Sequence, residues 1–150
     1  TGLLNHAGSI TNATATATGD LAISANIGTN VTSIVQSSAA SKTVLSGTNI
    51  AFTGGIIVNA GTLEISGGAA IGPTVSALTV KGGATLSLVN TAGQFHNLGA
   101  GVIELGTGAG TSTLALELGT LAAYDGFSSS SAAISANNVT LNLTAVAGFA

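Results

Sequence analysis

One phrase, Thr-Leu-x-aliphatic, returns four times along the chain: Thr62-Leu63-Glu64-Ile65, Thr85-Leu86-Ser87-Leu88, Thr113-Leu114-Ala115-Leu116 and Thr140-Leu141-Asn142-Leu143. The steps of 23, 28 and 27 positions lie in the range of chains that stack one short unit on the next. Within each phrase the two aliphatics point one way and the middle residue the other, because side chains alternate along a strand. Glu64, Ser87, Ala115 and Asn142 therefore face outward or fill small packing slots, while the eight Leu and Ile residues face a core. One such coil cannot bury its inner face alone. Stacked coils share a continuous core and pair each coil's backbone with the coils above and below.

Further strands are expected between the phrases, at Leu78–Val80 and Val102–Leu105, and before them at Leu21–Ser24 and Val31–Val35. The densest stretch is 43–66, with apolar runs at Thr43-Val44-Leu45, Ile50-Ala51-Phe52, Ile56-Ile57-Val58 and Leu63-Glu64-Ile65. None is long enough for a helix, and β-branched residues are frequent, so all four read as strands. The glycines at 47, 54, 55 and 61 read as corners, and Asn49 and Asn59 as corner side chains that bond the backbone or stack as ladders. Gln36–Lys42 reads as a spacer. Residues 1–20 read as a loose, polar segment, either extended or available to add a strand to a neighbour, with a thin strand where Thr14, Thr16 and Thr18 alternate with alanine.

The uneven steps favour an all-β fold of the parallel β-helix (β-solenoid) type with irregular coil lengths, as one domain over 1–150. A β-sandwich is the alternative for the last third, where 99–111 and 125–131 read as flexible connectors and Ser128–Ser131 as a linker.

The string from Ser46 to Ser66 resembles the autotransporter-associated β-strand repeat, also called the passenger-associated transport repeat. The matching elements are Ser46-Gly47-Thr48-Asn49, Phe52-Thr53-Gly54-Gly55 and Val58-Asn59-Ala60-Gly61-Thr62-Leu63. Residues 69–150 are similar, more loosely, to the tail that follows such repeats in large exported bacterial surface proteins; residues 1–40 are not covered. Only one good copy is present, and no membrane-barrel domain follows it. The resemblance implies a β-solenoid, export, and a place at the bacterial cell surface or in the extracellular matrix.

Charge narrows the function classes. Only 5% of residues are charged, against roughly 25% in ordinary soluble proteins. Such a chain has few charges to keep it dispersed, which favours burial in something larger. Lys42 and Lys81 are the only cations and the net charge is −3, whereas nucleic-acid binding needs a basic footprint. Cysteine is absent, which rules out disulfides and thiolate metal sites. No apolar run approaches the roughly 18 residues of a membrane helix. Five aromatic rings are too few for the girdles of a membrane barrel. The opening Thr1-Gly2-Leu3-Leu4 lacks the pattern of a signal peptide, so the chain is expected to be mature or a fragment.

No catalytic, cofactor or metal site is expected. Asp20, Glu64, Glu104, Glu117 and Asp125 are scattered and read as solvated strand faces and turns, whereas sugar-cleaving chemistry needs clustered carboxylates. His6 and His96 stand alone, without metal-ligand spacing, and read as surface or partly satisfied histidines. No serine sits in a Gly-x-Ser-x-Gly elbow. The Thr14/Thr16/Thr18 array raises an ice-binding reading, which needs repetition on successive rungs. Sequons at Asn12, Asn30, Asn138 and Asn142 are expected by chance.

The leading functional expectation is a non-catalytic structural subunit whose partner is itself, stacked end to end, with other surface or matrix components as further partners. An adhesin stalk gripping glycans or other cells comes second; its aromatic platforms would have to come from Phe52, Phe95, Tyr124, Phe127 and Phe149. A polysaccharide lyase or hydrolase comes last.

Overall fold

A computed structural model of the chain describes residues 2–16, 18–66, 71–88, 95–99, 101–119, 125–129 and 134–146. The strands fall into six rungs. The first is β1 (Leu3–Leu4), β2 (Gly8–Asn12) and β3 (Leu21–Ile23), and the second is β4 (Asn26–Ile27), β5 (Val31–Gln36) and β6 (Lys42–Leu45). The third has β7 (Gly55–Val58) and β8 (Thr62–Ile65), and the fourth has β9 (Ala77–Lys81) and β10 (Thr85–Ser87). The fifth is β11 (Phe95–Asn97), β12 (Val102–Thr107) and β13 (Ser112–Leu118), and the sixth is β14 (Gly126–Ser128), β15 (Ile134–Ala136) and β16 (Val139–Ala145).

One six-stranded sheet runs β2-β5-β7-β9-β12-β15 and a second β3-β6-β8-β10-β13-β16. Among the described residues the third side is a sheet only at the two ends, as the pairs β1-β4 and β11-β14. Every described pairing is parallel. The molecule is a β-solenoid of about five turns, and no described residue is helical. The sandwich alternative fails here, since aligned sandwiches are built from antiparallel sheets.

Register converts the alternation of the sequence into columns. In the first sheet Ile10, Ile34, Ile56, Leu78, Ile103 and Ile134 stack in one inward column. In the second, Leu21, Thr43, Leu63, Leu86, Leu114 and Leu141 form another. Ile34, Ile56, Leu63, Leu78 and Leu86 are at most 1% exposed, and each such side chain contributes about 1.5–3 kcal/mol by leaving water. Thr62, Thr85, Thr113 and Thr140 form the matching outward row. The repeated phrase is one position per rung on one face of the solenoid.

Several local expectations are corrected. Ile50-Ala51-Phe52 is a turn, not a strand. Asn49, just before it, is fully buried, and its Oδ1 accepts the Ile27 N–H at 2.7 Å. A side chain thus satisfies a donor that strand pairing would otherwise serve. The Asn49 Nδ2 donates to the Gly47 carbonyl at 3.2 Å, as expected of a corner asparagine. Asn59 donates instead to a side chain, Ser37 Oγ, at 2.9 Å.

Residues 1–20 are no free arm: β1 pairs with β4 and β2 with β5, which makes them the first rung. The described part of the Thr14–Thr18 stretch forms no strand. The stretches 99–111 and 125–131 are likewise more than connectors, for they contain β12 and β14. The β14 strand takes in Ser128, and Ser129 Oγ donates to the Gly99 and Gly101 carbonyls. Residues 130–131 of the expected Ser linker lie outside the described residues.

Candidate functional site

The inward columns carry their apolar side chains to both ends of the stack. At the first rung Leu4, in line with the buried Ile27, is 37% exposed. Leu4, Ile10, Leu21 and Ile23 line an open apolar cavity of about 380 Å³, with His6 on its wall. At the sixth rung Ile134, Leu141 and Leu143 are 54%, 54% and 48% exposed. Leu141 and Leu143 were expected to be buried. Their register with Leu114 and Leu116 keeps them in the inward columns, but no described rung lies beyond to cover them. Leu63, Ile65, Leu86 and Leu88 are fully buried as expected, and Leu114 and Leu116 are partly buried against the core.

The charged residues are placed by this frame. Lys42 lies between rungs, with Nζ 2.7 Å from Glu64 Oε2 and 3.8 Å from Asp20 Oδ2. The hydrogen bond to Glu64 raises the Lys42 pKa, against an opposing effect of burial, with the Glu64 and Asp20 charges adding to the rise. Glu104 Oε2 accepts from Thr79 Oγ1 at 3.4 Å. Asp125 departs from the solvated reading: it is 5% exposed, and its Oδ2 accepts the Glu117 N–H at 2.7 Å. The Asp125 N–H donates back to the Glu117 carbonyl at 3.2 Å. This pair, invisible in the sequence across eight positions, is joined through backbone groups. Burial, then the neighbouring Asp125 charge, pushes the Glu117 carboxyl up. Among the described residues no three His, Asp or Glu side chains are grouped to hold a metal ion.

His6 is exposed, with Nε2 3.4 Å from the Ser9 carbonyl. Of the two readings expected for His96, surface or partly satisfied, the surface one fails, for the residue is 1% exposed. Its register partner is Phe127, the ring centroids 5.9 Å apart. Neither ring nitrogen has a partner of ordinary hydrogen-bond geometry among the described residues. Burial lowers its pKa below 6.5, outweighing the Ile71 backbone and the Asp125 charge, which favour the cation. The unfolded chain therefore binds a proton more readily, and the stability held above pH 6.5 is lost as pH falls through the depressed value. Glu117, with its raised pKa, acts in the opposite sense at lower pH. Urea midpoints at pH 7.5 and 5.5 should drop in acid for the parent and drop less for His96→Phe. Equal drops would show that the imidazole is not responsible.

A polar cluster was missed altogether. Asn12 and Gln36 occupy the inward column that continues as Val58, Val80 and Leu105. Gln36 Oε1 accepts from Thr43 Oγ1 at 2.6 Å and from Asn12 Nδ2 at 3.0 Å, while Nε2 donates to the Ser38 and Ser41 carbonyls. The expected spacer 36–42 is thus the wall of a buried corner, with Ser38 and Ser41 inside it. Asn12, one of the four sequons, is buried in the same cluster.

Two aromatic rings are described, and neither is an open platform: Phe52 is fully buried and Phe127 is packed against the core. The side chain of Phe95, and Tyr124 and Phe149, lie outside the described residues. The hydroxyl row runs through Thr62, Thr85, Thr113 and Thr140 instead of residues 14–18. Beside it stand Glu64, Ser87, Ala115 and Asn142, so no second threonine row accompanies it. In comparisons with known proteins, the chain matches no family model, no curated protein and no solved structure.

Proposed function

We propose that the chain is a non-catalytic structural protein of the bacterial cell surface or extracellular matrix, a β-solenoid subunit that associates end to end into filaments. The observation that carries this reading is the pair of open ends, where the same inward columns that are buried within the stack reach solvent. Large apolar surface of that kind marks an interaction site. The low charge of the chain points the same way.

Export and surface location rest on the likeness to the autotransporter-associated repeat. Its asparagines, Asn49 and Asn59, take corner hydrogen bonds here, and its Phe52 is a core side chain. No described feature favours the glycan-gripping or polysaccharide-cleaving alternatives.

Sedimentation velocity of the purified 150-residue chain, with negative-stain images of the same sample, tests the reading. Species should grow with concentration and appear as thin rods. A monomer that persists at high concentration would refute association.

A further inference from the structure

We infer that the partner at each end is a second copy in one polar register, the sixth rung of one molecule seated on the first rung of the next. This rests on the end-to-end reading and assigns its geometry. Each terminal rung offers three strand edges in the same chain order: β14, β15 and β16 at one end, β1, β2 and β3 at the other. Two sides propagate as parallel ladders through the whole stack, and the third pairs in parallel at each end, at about 4.8 Å per step. Adding a copy in the same direction extends all three ladders at once. An inverted copy would oppose two like ends and reverse the strand direction.

The columns fix the register. Ile134 ends the column that Ile10 begins, Leu141 the one that Leu21 begins, and Leu143 lies in line with Ile23. Seating one rung on the other covers all three exposed side chains and fills the cavity at the first rung. Outside the core, Asn142 comes over Ala22, since the outward column runs Ala22, Val44, Glu64, Ser87, Ala115, Asn142. None of the six edge strands contains a charged residue or proline. Those are devices by which exposed edges resist pairing. One irregularity, between Gly8 and Ser9, lies at the start of β2. The contact is heterologous, so it repeats without closing on itself as a dimer.

Cysteine placement tests the register, because the parent has no cysteine. In-register neighbours at about 4.8 Å are within the Cα separation a disulfide spans. Under mild oxidation the double variant Ala22→Cys/Asn142→Cys should convert most of the protein into a covalent ladder of dimers, trimers and longer species. Either single variant should give none. A dimer from Asn142→Cys alone would mean tail-to-tail contact and overturn the proposal. Rods in the micrographs with no covalent ladder would overturn the register while the end-to-end reading stands. No assembly of the parent at all would overturn both, and assign the ends to further rungs of one longer chain. As a second arm, Leu141→Lys/Leu143→Lys should abolish assembly while the far-ultraviolet circular dichroism stays that of the parent. Assembly at parental concentration despite both lysines would also refute the proposal.

Discussion

Phe52→Ala should lower the unfolding free energy by about 3–5 kcal/mol, the largest loss expected from any single truncation among the described residues. Phe52 is fully buried and belongs to the main core cluster. It sits on the third side of the third rung, where no strand is present and the turn after Asn49 brings the ring inward. A Cβ on Gly54 would lie 2.7 Å from Phe52 Cε2, so the chain passes closely over the ring. Truncation leaves a void that the backbone cannot collapse into, since the flanking sheets are tied to the rungs on both sides. Ile50→Ala, two positions away at 58% exposure, should change stability by less than about 0.5 kcal/mol. Urea unfolding of the two variants measures the contrast. Similar losses would mean that the turn as a whole, not the ring, supports the corner.

Gly61→Ala should cost more than its single methyl suggests. Gly61 has φ +66°, and an added Cβ would collide with the Ser38 carbonyl oxygen of the preceding rung. That Cβ would also lie 3.0 Å from Gln36 Nε2 and from the Ser41 carbonyl oxygen, inside the buried polar corner. The left-handed backbone alone costs an alanine about 1–2 kcal/mol. Gly83 isolates that part, because it has φ +85° and nothing within 4 Å of an added Cβ. Gly61→Ala should therefore exceed Gly83→Ala by more than about 1 kcal/mol, since parting the Gln36 hydrogen bonds leaves buried polar groups unpaired. Thermal or urea midpoints of the two alanine variants decide it. Equal shifts would show that the rungs separate there at little cost.

The part of the fold that could be read from the sequence is the part governed by alternation. Leu63, Ile65 and Leu86 sit in strands where every second residue is apolar, Leu88 directly follows one, and all four lie where alternation puts them. Ile50–Phe52 has the same local appearance, yet it is a turn, because Asn49 takes up a backbone donor from the rung below. That contact spans 22 positions and leaves no local mark. Asn12, Gln36, Thr43 and His96 were illegible for the converse reason: a polar residue in a strand reads as outward. Only the register, which aligns Gln36 with Val58, reveals that it points in. The Glu117–Asp125 contact is hidden in the same way. Of the candidate site, the lack of charge on the last strand was visible in advance. The half-exposure of Leu141 and Leu143 was not, since it depends on what lies beyond them and not on their own pattern.

Parallel pairing from rung to rung also fixes how the molecule carries a pull. The bonds between rungs lie along the stacking axis, so tension between the two ends loads them in series. No rung shares that load with another, and the least stable interface between rungs sets the yield force for the stack. Each rung that lets go frees a length of chain far greater than the thickness of the rung. The 23 positions from Thr62 to Thr85 span roughly 75 Å when drawn out, against a single step of about 4.8 Å in the stack. A stack of such rungs within one chain yields by lengthening in discrete steps before it is fully drawn out.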